Sequence, residues 1–307
     1  MRRPRWKAPR ARPSAACLAR GVAALLLASL AALVPAGASA EDASARAIAR
    51  GDQAWRQRAD RLDGDLARPE RIAEAIARYR EALGATPETS GDARNGLEAA
   101  WKLLRALHYA VDFTTLDEAK REARLEEAIA LARERVAQLD ETGAADERTP
   151  GARDRARLLF WSSIVWGARA QRVGLLTIVR EGVASRMHEQ AERALAIDPT
   201  IDRGGPLRLL SRLHASLPRV PFVSGWVDRE RAIPLAERAH ALDDGHPGNA
   251  LVLALALLEQ APDRRAEARA LLEGLSRRDP REEARVEDMA ILEDARDRLA
   301  RLDEEGR

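Results

Sequence analysis

From residue 41 onward, apolar positions recur every three to four residues, and no stretch alternates with period two over the length of a strand. That periodicity predicts amphipathic helices throughout and an all-α fold. One set of helices is expected over residues 44 to 60, 91 to 111, 152 to 180, 205 to 216 and 247 to 260. The 152 to 180 stretch is unusually long and apolar, and reads as one helix or a pair. Residues 281 to 304 alternate acids with arginines and predict a polar capping helix at the C-terminal end. Linker-like composition at 61 to 69, 140 to 151 and 217 to 227 separates no second domain.

Between these segments a frame recurs. In AIARYREALGATP, Ala75, Tyr79, Ala82 and Pro87 occupy a small, large, small and helix-ending position. Ala128, Ala132, Arg135 and Asp140 stand in the same frame, with Arg135 as a departure. So do Met187, Ala191, Ala194 and Pro199; Ala232, Ala236, Ala239 and Asp244; and Ala268, Leu272, Leu275 and Pro280. Small residues let two helices approach, a large one fills the gap to the next pair, and proline ends the helix. This pattern resembles the second helix of the tetratricopeptide repeat. The resemblance implies a right-handed superhelical array of about five helical hairpins. The frame ends lie 53, 59, 45 and 36 residues apart, against a standard period of about 34, so the array is irregular. Pro234, inside the fourth such helix, is expected to kink it or delay its start.

The first forty residues read as an address. Arg2, Arg3, Arg5, Lys7, Arg10, Arg12 and Arg20 form a basic region without an acid, and an apolar run from Val22 to Val34 follows. Pro35 and then Ala38-Ser39-Ala40 complete a signal-peptide pattern with cleavage expected after Ala40. The other reading is an uncleaved anchor, although the run is shorter than the roughly 20 residues of a membrane span. Cys17 precedes the apolar run, where a lipoprotein cysteine would follow it. The expected mature chain, 41 to 307, is then a single domain without cysteine, exported to the periplasm and touching the membrane only through its transient leader.

Removing the leader changes the charge. The whole chain has 51 Lys+Arg and 49 Asp+Glu, or +2. Seven of the bases and none of the acids lie in the first forty residues, so the remainder carries 44 against 49, or −5. Bases and acids interleave, which argues against a nucleic-acid footprint.

Few residues suggest chemistry. No two of the five histidines stand at i, i+4, and no cysteine cluster accompanies them, so no metal site or cofactor is expected. There is no G-x-S-x-G elbow and no phosphate loop, which excludes the common hydrolase and nucleotide-binding signatures. The tryptophans and nearby arginines stand out instead. Trp161 and Trp166 are five residues apart, roughly 140° around a helix, so their helix must be buried on two sides or direct one ring into a groove. Arg169 and Arg172 follow closely, and guanidinium groups beside an apolar wall suit an organic anion, or cover the helix stack. Trp101, Trp161, Trp166, Arg169, Arg172, Arg208 and Trp226 are the candidate partner- or ligand-binding residues, against the plainer reading of inter-helix packing.

From about residue 150 the chain also resembles the T-component family, the periplasmic tetratricopeptide proteins associated with TRAP-type transporters. The likeness rests on LLFWSSIVWGARA at 158 to 170, on MHEQAERALAIDPTIDRGGPLRLLSRLHASLP at 187 to 218, and on PFVSGWVDRERAIPLAERAHAL at 221 to 242. It implies a superhelical array with an apolar channel or groove, capable of self-association and of docking a periplasmic solute-binding protein. The expected function is a non-enzymatic scaffold or adaptor of solute uptake; the alternative is a cell-envelope assembly or secretion scaffold unrelated to transport.

Overall fold

The computed structural model describes residues 40–85, 93–141, 151–220 and 224–305, all within one compact unit, Ala40–Arg307. The expected leader lies outside these residues except for Ala40, the first residue of α1. Twelve α-helices account for most of the described chain. They are α1 Ala40–Arg56, α2 Glu70–Ala85, α3 Ala93–Asp112, α4 Glu118–Glu141, α5 Ala152–Ala170, α6 Leu175–Arg180 and α7 Val183–Ile197. The remainder are α8 Gly205–Ser216, α9 Ala232–Leu242, α10 Pro247–Gln260, α11 Arg265–Ser276 and α12 Arg285–Glu305.

The recurring frame marks buried faces. Ala75, Tyr79 and Ala82 on α2, Ala191 and Ala194 on α7, and Ala232, Ala236 and Ala239 on α9 are all fully buried. Ala268, Leu272 and Leu275 on α11 are buried too, as are Ala128 and Ala132 on α4. Arg135, the departure, is half-buried and bonds Gln138 at 2.9 Å instead of filling a gap. Pro87 lies outside the described residues. The first hairpin shows why small residues are needed. A methyl added to Gly51 of α1 would stand 2.5 Å from Cε1 of Tyr79 on α2, so the ring packs directly on the glycine backbone.

Prolines and glycines set the breaks. Pro234 falls in the first turn of α9, which starts only after a 3-10 turn at Arg229–Arg231. A proline there has no helical hydrogen bond to lose. The apolar stretch 152 to 180 is divided: α5 ends at Ala170, and the short α6 begins after Gly174. One element had no sequence signal. Leu62–Asp63 and Leu66–Ala67 form a two-stranded antiparallel hairpin, β1 and β2, within the expected linker, turning at Gly64 with φ +61°. Each strand has two residues, too few for alternation to show. Ala67 is tied to the end of α3 by its N–H to the Phe113 carbonyl at 2.9 Å and its carbonyl to the Thr115 N–H at 3.0 Å.

Each long helix packs on the next, and the helices sort into two layers. In the first layer α1 touches α3, α3 touches α5, α8 touches α10, and α10 touches α12. The second layer, α2, α4, α7, α9 and α11, has no comparable pairing among its own members. The last helix returns to the first: Arg58, just beyond α1, donates from Nε to Glu287 Oε1 on α12 at 3.0 Å. Val286 of α12 is buried in the same apolar cluster as Tyr79, Trp101 and Tyr109.

Candidate functional site

The first layer carries a run of alternating guanidinium groups and indoles. Arg58 lies over the Trp55 ring at 4.2 Å, and Arg105 lies over the same ring at 3.9 Å. Arg105 also lies 4.9 Å from the centre of Trp101, as does Arg157. Helical spacing builds this run: Trp101 and Arg105 are i, i+4 on α3, and Arg157 and Trp161 are i, i+4 on α5. The Trp101 indole donates to Asp154 at 3.0 Å, and Asp154 also accepts from Arg157 at 3.1 Å. Trp161 meets His108 of α3 edge-on at 5.9 Å.

Arg58 is paired with Glu287 and Arg157 with Asp154. Arg105 differs. Its Nε is buried without an acceptor, and among the described residues no carboxylate lies within ion-pair distance of it. Burial depresses its pKa, an effect opposed by the nearby Tyr79 hydroxyl and the Asp202 carboxyl.

Asp202 enters this neighbourhood from the turn between α7 and α8. It and Arg203 both adopt left-handed backbone, at φ 45° and 57°, which costs an L-residue roughly 1–2 kcal/mol. The strained turn is held in place. Arg208 donates to the carbonyls of Arg203 and Asp202, both at 2.9 Å, and to Asn249 Oδ1 at 2.6 Å. The fully buried Asn249 amide donates to the carbonyls of Arg203, Ala239 and Asp243. Although Asp202 is exposed at the surface, desolvation by the atoms around it raises its pKa, against the lowering influence of Arg105, Arg208 and Arg157. The Trp161 indole N–H also stands near enough to lower that pKa, yet lies outside hydrogen-bond geometry. Burial pushes Arg208 down to about 10.

The other candidates lie elsewhere. Trp166 is buried, with Arg133 of α4 and Arg186 of α7 over its ring at 5.0 and 5.3 Å. α5 thus presents Trp161 to the first layer and Trp166 to the second. Arg169 is clamped by Glu181 at 2.7 and 3.0 Å and by Glu126, and the Glu181 bonds raise its pKa. Arg172 donates to Asp112 at 2.6 Å and to the Ala168 carbonyl at 3.0 Å. Of the seven candidates, Trp101, Trp161 and Arg208 converge on the Arg105–Asp202 neighbourhood, and Trp166, Arg169, Arg172 and Trp226 do not. Arg105, Trp55 and Asp202 belong to the site but were missing from the candidates. Trp55 could have been found from its tryptophan type, whereas nothing in the sequence brings Asp202 to α3.

Trp226 belongs to a second cluster. It stacks on His188 of α7 at 3.9 Å with 15° between planes, and His214 of α8 meets both rings edge-on. His188, Glu192 and His214 each bring a ligand atom to within 4.8 Å of the others, a His2Glu set of the kind that holds zinc. His188 and Glu192 are i, i+4, a pairing that a search for histidine pairs alone overlooks. Two features oppose a cation. His214 Nδ1 accepts the Asp228 backbone N–H at 3.1 Å, so the neutral ring carries its proton on Nε2, the very atom that a metal would need. Arg231 already pairs with Glu192 at 2.7 Å. The three side chains therefore do not fit a metal in this arrangement.

No protein-family model matches the chain, and no curated protein matches it at a significant level.

Proposed function

We propose that this chain is a tetratricopeptide-like superhelical scaffold of the periplasm, exported by its N-terminal leader, that binds a partner protein without catalysing a reaction. In this reading it acts like the T-component of a TRAP-type uptake system, presenting its inner helical face to a solute-binding protein. The supporting observation is the layered packing. First-layer helices touch in two runs, α1–α3–α5 and α8–α10–α12, while second-layer helices have no comparable contacts, which supports a curved array with Trp55, Trp101, Trp161 and their arginines toward its inner side. Curved helical arrays use that side to bind extended or convex partners.

Crosslinking the tagged protein in intact cells, followed by mass spectrometry of what is captured, tests this reading. Recovery of a TRAP solute-binding protein is the expected result. Recovery of secretion or envelope-assembly proteins instead overturns the transport role, and turnover by the purified protein overturns the scaffold.

A further inference from the structure

We propose that the cavity beside the β1–β2 hairpin binds a dianionic phosphate group, as inorganic phosphate or a phosphate monoester, between the guanidinium groups of Arg61 and Arg68. The site goes beyond the scaffold reading and does not depend on it.

The cavity measures about 140 Å³ and is lined by Arg58, Arg61, Arg68, Arg71, Glu70 and Glu74, with room for several waters or for one tetrahedral oxyanion. Its basic character comes from the hairpin. Leu62 pairs with Ala67 across the ribbon, and the ladder runs one step further, where the Arg68 N–H donates to the Arg61 carbonyl at 2.9 Å. Arg61 and Arg68 therefore stand opposite each other, and both line the same cavity. Like charges at directly opposed positions repel and weaken a two-stranded ribbon. Neither arginine has an ion pair or a side-chain hydrogen bond among the described residues, and both are exposed. An anion between them supplies the missing counter-charge and can reach them from solvent.

The remaining lining groups have their own roles. Arg58, its side chain 7% exposed, is fixed on Glu287 at 2.8 Å. Arg71 pairs with Glu74 at 3.1 Å, with both side chains nearly half exposed. A surface pair of this kind contributes little, so Arg71 can turn to a ligand. Glu70 stands in the first turn of α2, where the helix dipole favours an acid. Guanidinium groups match phosphate oxygens with paired N–H donors. Two of them in one cavity favour a dianion with three oxygens over a singly charged carboxylate with two.

The experiment is a calorimetric titration of the purified protein with inorganic phosphate, glycerol 3-phosphate and acetate at matched ionic strength. The two phosphates should bind with a Kd of about 1 mM or tighter, at least tenfold tighter than acetate. Arg61→Gln and Arg68→Gln should each weaken phosphate at least tenfold. Their Tm without phosphate should equal or exceed that of the parent, because the opposed charges are gone. No saturable binding up to about 10 mM, equal affinity for acetate, or undiminished binding by both variants would each overturn the proposal. So would a lower Tm in both variants, since the repulsion it rests on would then be absent. Sedimentation with phosphatidylcholine vesicles containing phosphatidic acid separates the sources. Vesicle binding that Arg61→Gln abolishes assigns the site to a lipid headgroup, and binding of the soluble phosphates alone assigns it to a free one.

Discussion

Arg58 and Glu287, 229 residues apart, form an ion pair at 2.8 Å that joins the start of the described chain to its last helix. The arginine is nearly enclosed, with its side chain 7% exposed, and it also donates to the carbonyls of Trp55 and Glu283. Glu287 is 23% exposed, so removing the arginine leaves a partly solvated charge and loses charge-assisted hydrogen bonds, at a cost of roughly 1.5–3 kcal/mol. Arg58→Met should therefore lower stability by about that amount in urea unfolding. A loss below about 1 kcal/mol would mean that the pair behaves as a surface contact.

Tyr79 packs on Gly51 and donates from its hydroxyl to Asp52 at 2.8 Å. Tyr79→Ala should cost about 3–5 kcal/mol through the cavity it leaves. Tyr79→Phe keeps the ring and should cost only about 1 kcal/mol, the worth of an ordinary hydrogen bond. Comparing the two by denaturant midpoints separates packing from bonding. Equal losses would show that the hydroxyl, and not the ring, organises this hairpin.

Stability should fall in mild acid. His214 is wholly buried, and burial, with Arg231 and His188 nearby, pushes its pKa down to about 4; burial pushes His246 down to about 3. Both rings are neutral, folded or unfolded, above the ordinary value of 6.5, so they contribute no pH dependence there. Below 6.5 the unfolded chain takes up protons that the folded chain refuses, and stability drops until the folded pKa is reached. Each ring adds a slope of up to roughly 1.4 kcal/mol per pH unit, with the wholly buried His214 the larger contributor. Urea midpoints from pH 7.5 to 5 check this, and His214→Gln should flatten the slope. A midpoint that rises on acidification would contradict the assignment.

The left-handed pair at Asp202 and Arg203 offers a stabilising change. Asp202→Gly relieves the strained φ of 45° and should raise stability by about 0.5–1 kcal/mol after glycine's own entropy loss. Thermal unfolding gives the sign directly; a lower Tm would show that the carboxyl, not the backbone, dominates here.

The His188–Glu192–His214 cluster should stay free of zinc. Titration with Co2+ is expected to produce no tetrahedral ligand-field bands, because the His214 tautomer protonates the atom that would bind. Bands that appear in the protein and vanish in His188→Ala would establish a metal site and require the Asp228 contact to open.

Much of the fold was legible because local periodicity and the frame residues agree. Ala75, Tyr79 and Ala82 share one face of α2, and all three are buried; the same reading finds the faces of α7, α9 and α11. The site was only partly legible. Trp101 and Trp161 stand out by type, and Arg105 follows Trp101 by one helical turn. Asp202 does not announce itself, since left-handed backbone is signalled by glycine and the glycines here begin two residues later, at Gly204. The Arg58–Glu287 pair is beyond any local pattern, because partners 229 residues apart leave no spacing to recognise.

That pair also bears on how this array can change over time. An open stack of hairpins gains or loses a unit at little structural cost, since each unit contacts only its neighbours. Here a duplicated or deleted hairpin would move α12 away from Arg58 and leave both charges stranded. Within the described residues the contact between Arg58 and α12 thus couples the first helical hairpin to the last helix, and any change in the number of hairpins would have to re-form it.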